Sequence, residues 1–236
     1  MKNCQVQNSR SPPLSSRFRK TDFGNHSSIV FIIKEERIMS TSAETISITK
    51  AEAEKTLKDC LFLGACKTED ADKYLSKESI CEGISKYLII KMPSTESQKA
   101  LVREKDSIKA YLRMLAWSEE KAWKIAEENT KRDTKIVSLT KILFDDGFDE
   151  EDFLYVVTNK DKWLGASSAL NLDTLRSFAE EHNTREIVLL PSSIHEMLIV
   201  PHPDTSIPYD SFVNEVNHSE VEPEERLTDR AYTIRF

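Results

Sequence analysis

Residues 185–203, REIVLLPSSIHEMLIVPHP, constrain this chain more than any other stretch. Two apolar runs, 187–190 and 197–200, flank a polar turn made of Pro191, Ser192, Ser193, Ile194, His195 and Glu196. Short β-prone runs on either side of a Pro/Ser break predict a β-hairpin, and runs this apolar predict one buried in a core. Pro201 and Pro203 limit how far the second strand can pair. A buried hairpin needs neighbours. The predicted companions are a strand over 153–158 (FLYVVT) and a last strand over 231–236, which alternates Tyr232, Ile234 and Phe236.

The rest of the second half follows the same reasoning. Ser118 is placed to cap a helix over 119–129, with Trp117, Ala122, Trp123 and Ala126 on its apolar side. Residues 134–144 continue as a helix with Ile136, Leu139, Ile142 and Leu143 inward. Residues 163–170 (WLGASSAL) are expected to return as a strand, where Gly165 and its small neighbours suggest close approach of another element. Asn171 or Asp173 caps a helix to Glu181, with Leu172, Leu175, Phe178 and Ala179 buried. A short helix over 209–217 turns Phe212, Val213 and Val216 inward, and an acidic loop follows over 220–229. The order from residue 153, ββαββαβ, predicts an α+β domain over 117–236 with a mostly antiparallel sheet covered by helices.

Residues 44–116 are expected to be helical. Thr49 and Glu52 have capping-box spacing ahead of a helix over 50–63 that stops at Gly64. A short helix runs from Thr68 or Glu69 to Leu75. Ser76 caps another, in which Ile80, Ile84, Tyr87 and Leu88 share a face, and Pro93 with Ser94 ends it. A longer helix over 96–115 buries Leu101, Ile108, Leu112 and Leu115.

Residues 1–38 differ from the remainder. They are rich in Ser, Pro, Asn and Arg, show no periodicity and are expected to be disordered. They carry a net charge of +4, leaving −11 for the rest of a chain whose total is −7. Lys34, Glu35, Glu36 and Arg37 before Ile38 and Met39 can be encoded as a purine-rich ribosome-binding sequence ahead of a start codon. Met39 is therefore expected to be the true start, with residues 1–38 as upstream sequence. The acidic body repels phosphate backbones, which argues against broad nucleic-acid binding. No run reaches the roughly 20 apolar residues of a membrane span, and 29–33 is too short for a secretory signal. A soluble cytoplasmic protein is expected.

Signatures of chemistry are sparse. Cys4, Cys60, Cys66 and Cys81 form no CxxC pair and are read as small core hydrophobes or free thiols. The acidic run 145–152 lacks calcium-loop spacing and is read as a linker. His195, His202 and His218, with Glu196 or Glu215, do not have metal-site spacing. No GxGxxG or Walker pattern is present, so neither cofactor nor metal is expected. The best catalytic candidates are Ser192, Ser193, His195 and Glu196. A serine nucleophile needs a base in reach and a group orienting that base. On an extended strand Ser193 and His195 would face one side, about 6–7 Å apart. No oxyanion loop or nucleophile elbow accompanies them. The alternative role is structural, with the serines satisfying turn N–H groups and His195 and Glu196 facing solvent or a neighbouring strand. Asn214, Asn217 and His218 are read as a helix C-terminal cap.

Four strings, AWKIAEENT (122–130), LYVVTNK with LGA (154–160, 164–166), LLPSSIHEMLIVP (189–201) and VNEVNHSEVEPEERLTDRAY (213–232), resemble an uncharacterised family from clostridial anaerobes, domain of unknown function 5688. The resemblance covers about 117–236. It implies a bacterial cytosolic setting, sometimes near mobile elements, and supplies no activity and no catalytic residues. The lysine-asparagine-glycine segment usual in the family's longer N-terminal region is not found here. The function expected is a non-enzymatic protein-interaction or regulatory module whose partner is another protein. The alternatives are a hydrolase-like enzyme using the 192–196 turn, and a DNA-binding regulator using helices of 76–115, whose Lys99, Arg103, Lys109 and Arg113 give only a mixed-charge face.

Overall fold

The computed structural model describes residues 50–92, 100–144 and 152–236. The expectations for residues 1–38, for Met39 as the start, for the cap at Thr49, for the stop at Pro93 and for most of the acidic run lie outside the described residues.

The first half departs most from expectation. Helix α1 (Lys50–Cys60) does not continue to Gly64. It gives way to β1 (Leu61–Lys67), and Gly64 sits within that strand. A 3-10 turn (Thr68–Lys73) follows, then β2 (Ser76–Glu78), β3 (Ile84–Lys91) and β4 (Leu101–Val102). Strand β3 pairs antiparallel with β1 along one edge and with β2 and β4 along the other. The helix expected from Ser76 is therefore two strands, and the one expected over 96–115 is reduced to α2 (Lys105–Leu115) behind β4. The cause is burial on both faces. Leu61, Leu63, Leu88 and Ile90 pack toward the helices, while Tyr87 and Ile89 pack on the opposite side. A run that is apolar on both faces has no two-residue alternation, so Ile84, Tyr87 and Leu88 also satisfied a helical spacing.

Helix α3 (Glu119–Asp133) begins where expected, with the Ser118 hydroxyl accepting the Lys121 N–H. Trp117, Ala122, Trp123 and Ala126 are buried in one core with α1, α2 and the first sheet. Beyond it, 134–144 is not one helix. It is β5 (Thr134–Ser138) followed by a short α4 (Leu139–Phe144). Alternation of exposed Lys135 and Val137 with inward Ile136 suits an edge strand. Ile142 and Leu143 are exposed rather than inward.

The second half is an antiparallel sheet, β5-β6-β8-β7-β9, completed by β6 (Tyr155–Asn159), β7 (Glu186–Pro191), β8 (Met197–Val200) and β9 (Tyr232–Arg235). The hairpin β7–β8 lies inside it, with both predicted companions beside it. Val157, Ile187, Leu189, Met197 and Ile199 form one face, covered by Leu175, Phe178 and Ala179 of α5 (Leu172–Glu181). Ala65, Cys81 and Ile84 of the first half join this same core. The other face, Val188, Leu190 and Val200, is covered by Val213 of α6 (Tyr209–Glu220). Leu172 and Phe212, expected inward, are exposed.

The α+β class and the mostly antiparallel sheet stand. The strand expected over 163–170 does not form. The chain turns through Lys162 (φ 51°) and Leu164 (φ 50°) into a buried 3-10 segment, Ala166–Leu170. The close approach expected at Gly165 is present. An added Cβ would lie 2.5 Å from Thr158 Oγ1 and 2.6 Å from the Asn159 backbone nitrogen.

Gly64 makes room for the Tyr87 ring, which crosses β1 and stacks on Tyr74 with centroids 4.3 Å apart. Gly64→Ala should therefore cost roughly 1–3 kcal/mol, the usual range for overpacking. In a Tyr87→Val background the same change should cost much less. Urea unfolding of the four-member cycle checks this, and additive effects would show that Tyr87 is not the obstacle.

Candidate functional site

The hairpin turn closes on itself through Ser193. Its N–H donates to the Glu196 carbonyl (3.1 Å), and its hydroxyl oxygen accepts the His195 N–H (3.0 Å). This is the hydroxyl-supported turn that Ser favours. Ser193 is 8% exposed, and neighbouring Ser192 is half-buried.

The His195 ring points elsewhere. Its Nδ1 accepts the Leu164 N–H at 3.0 Å, so the ring proton belongs on Nε2, which faces Glu225 Oε1 at 3.3 Å. The His195 carbonyl accepts from the Thr158 hydroxyl (2.8 Å) and the Gly165 N–H (3.0 Å). Asn159 brackets Trp163, donating to its carbonyl (2.8 Å) and accepting its N–H (3.1 Å). Lys91, from the first sheet, donates to the same Trp163 carbonyl at 2.9 Å. The turn after β6 has no strand to pair with. Its backbone groups are satisfied by Asn159, His195 and Lys91 instead.

These contacts set out what the 192–196 cluster can do. The structure brings Ser193 to the main chain of His195, while both ring nitrogens of His195 face other partners. The serine-to-imidazole bond that would activate a nucleophile is not the one formed. Glu196 lies along the same turn. Burial raises its carboxyl above the ordinary value, against the lowering influence of His195 and Lys162.

Three further polar groups play comparable roles and were not singled out by sequence reasoning. Asn129 donates to the carbonyls of Lys58 (2.7 Å) and Leu61 (2.8 Å). Thr130 accepts the Leu63 N–H at 2.9 Å, and Ser167 donates to the Leu63 carbonyl at 2.7 Å. Together they occupy the outer edge of β1. Asn217, 1% exposed, donates to the carbonyls of Pro191 (3.2 Å) and Thr228 (3.0 Å), so it ties α6 to the hairpin rather than capping its helix. His218 sits in the last turn of α6, with Nδ1 against the Asn214 carbonyl at 2.8 Å. Only Ser167 stands in an apolar stretch (WLGASSAL), whereas Asn129 and Thr130 lie in the polar run EENTKRD, where nothing local marks them.

Among the described residues no group of three or more His, Cys, Asp or Glu side chains is placed to hold a metal ion. Cys60, Cys66 and Cys81 are buried free thiols, and burial pushes Cys81 up to about 12. Neither the cleft beside Lys67 and Arg226 nor the one beside Glu127 and Asn171 is lined by Ser192, Ser193, His195 or Glu196.

A family model described as a family of unknown function (DUF5688) matches residues 29–235, which takes in both sheets. No curated protein and no solved structure matches the chain.

Two measurements test these roles. His195→Phe strands the Leu164 N–H and should cost about 1–3 kcal/mol, whereas His195→Asn, which retains an acceptor near the Nδ1 position, should cost less. Equal losses in urea unfolding would show that the acceptor is unimportant. For Glu196, a raised folded-state value means that the folded protein holds the proton more tightly than the unfolded chain. Its contribution to stability therefore falls as pH rises through and above 4.5, the ordinary value. Glu196→Gln should melt higher than the parent at pH 7 and alike near the acid end, where both states are protonated.

Proposed function

The chain belongs to this family of unknown function, and we propose that it serves as a non-enzymatic protein-interaction or regulatory module in a bacterial cytosol. The observation that carries this reading is a set of exposed apolar side chains on the elements at one edge of the second sheet. Val137 (37% exposed), Ile142 (44%), Leu143 (43%) and Phe153 (71%) lie on β5, on α4 and at the approach to β6. Clustered exposed apolar side chains mark association surfaces more often than isolated ones do. Strand β5 ends its sheet among the described residues, so its outer edge is suited to pairing with an incoming strand.

The rival readings have less support. The hydrolase reading uses Ser192, Ser193, His195 and Glu196, but the bonds at Ser193 and His195 run to main-chain groups and to Glu225. The DNA-binding reading uses a helix pair within 76–115, and the stretches Ser76–Glu78 and Ile84–Lys91 are strands. The net charge of −7 also disfavours a nucleic-acid partner. No helix of the described residues is long and apolar enough to cross a membrane.

Affinity capture from the native host tests the proposal. The parent chain should retain a stoichiometric protein partner, and Phe153→Asp combined with Ile142→Glu should lose it without lowering the melting temperature. Equal capture by parent and variant overturns the assigned surface. Absence of any partner, together with esterase turnover abolished by Ser193→Ala, overturns the module reading.

A further inference from the structure

Strand β5 ends the second sheet among the described residues, and its main chain fits a second copy of itself. We propose that the protein self-associates by antiparallel pairing of β5 with β5 of another molecule, about a two-fold axis at Ile136. The inference rests on the reading of β5 as an association edge and names its occupant.

The register shows which groups are open. Lys160 N–H donates to the Asp133 carbonyl (3.1 Å) at one end of the β5–β6 ladder, and Leu139 N–H donates to the Leu154 carbonyl (2.9 Å) at the other. In an antiparallel pair, residues bonded to the partner strand alternate with residues whose N–H and C=O point away from it. Asp133 and Leu139 fix the odd-numbered residues as those bonded to β6, so Thr134, Ile136 and Ser138 turn their main chain outward. Two of these outward groups are engaged. Thr134 N–H closes α3 on the Lys131 carbonyl. Ser138 caps α4, its hydroxyl accepting the Lys141 N–H at 3.3 Å, and the carbonyl of a capping residue serves its own helix. The Ile136 N–H and carbonyl, the Ser138 N–H and the Thr134 carbonyl have no partner among the described residues.

That set is complementary in charge to itself. Pairing about Ile136 lets the Ile136 N–H of each copy donate to the Ile136 carbonyl of the other, and the Ser138 N–H of each donate to the Thr134 carbonyl of the other. Every open group is used. The two groups already engaged, Thr134 N–H and Ser138 C=O, are the ones this register would otherwise join. The side chains agree. Lys135 of each copy lies opposite Val137 of the other, so no like charges are opposed, and the lysine stem covers a valine that is 37% exposed. Two five-stranded sheets become one of ten, and the open edge of each is removed. So short a contact makes a dimer that forms and dissociates with concentration.

Sedimentation velocity of the full chain, from low to high micromolar concentration, should show a reversible monomer–dimer equilibrium. Val137→Lys sets a lysine against Lys135 of the other copy, twice per dimer, and should weaken association about tenfold. Lys135→Glu/Val137→Lys replaces both contacts with opposite charges and should return the dimer to near its parent strength. A dimer indifferent to Val137→Lys, or one that the charge exchange does not restore, overturns the proposal. If the variants do not fold, hydrogen exchange of the parent decides. Protection of the Ile136 and Ser138 amides should rise with chain concentration, while Lys135 and Val137, bonded to β6, stay protected throughout. Protection of Ile136 that does not depend on concentration means that the chain covers its own edge, and it overturns the proposal. A chain that is monomeric at every concentration yet retains a different host protein, lost in Phe153→Asp/Ile142→Glu, overturns self-pairing and leaves the module reading standing. A monomer that retains nothing overturns both.

Discussion

Every buried backbone N–H and C=O in this protein needs a partner, and in two places the sheets supply none. One is the outer edge of β1, which packs against α3 rather than a strand. The other is the reversal between β6 and the 3-10 segment Ala166–Leu170, where positive φ angles at Lys162 and Leu164 take the chain out of any ladder. Side chains fill both gaps. Asn129, Thr130 and Ser167 serve the first, and Asn159, His195 and Lys91 serve the second. Each such bond contributes only about 1 kcal/mol net, yet leaving its partner buried and unpaired costs about 1–3 kcal/mol. These polar residues therefore specify the arrangement of the sheets more than they strengthen it.

This assignment changes how the 192–196 turn is understood. Serine, histidine and glutamate crowded beside a rigid hairpin invite a catalytic reading. The hydrogen bonds formed there run to the main chain of Leu164 and His195 and to the Glu225 carboxylate. The loop after α6 meets the His195 ring at Glu225, so the turn is tied to that loop as well as to the chain that follows β6.

How much was legible in the sequence depended on how many faces of each element are buried. The last strand alternates, and the hairpin runs are bounded by Pro and Ser, so both were readable along with their neighbours. Ser118 and Asn171 announced their helices, and both accept the expected N–H. Strand β3 is buried on both faces, so its pattern matched a helix equally well. WLGASSAL was misread because its small residues fit a 3-10 segment wedged against both sheets, a constraint set by residues distant in the chain. The partner of His195 lies 31 positions away at Leu164, and that of Ser167 lies 104 away at Leu63. No local pattern encodes such pairs.

The placement of Ala65, Cys81 and Ile84 in the core of the second sheet has a consequence for how the molecule comes apart. A segment beginning at residue 117 would leave that sheet's inner face without part of its cover. It would also separate Asn129 and Thr130 from the β1 edge they serve. Slowly exchanging amides should therefore occur in both halves and be lost together, as in a single cooperative unit. Shortening the chain between the halves would yield two incompletely covered sheets, each prone to associate with whatever apolar surface is nearby.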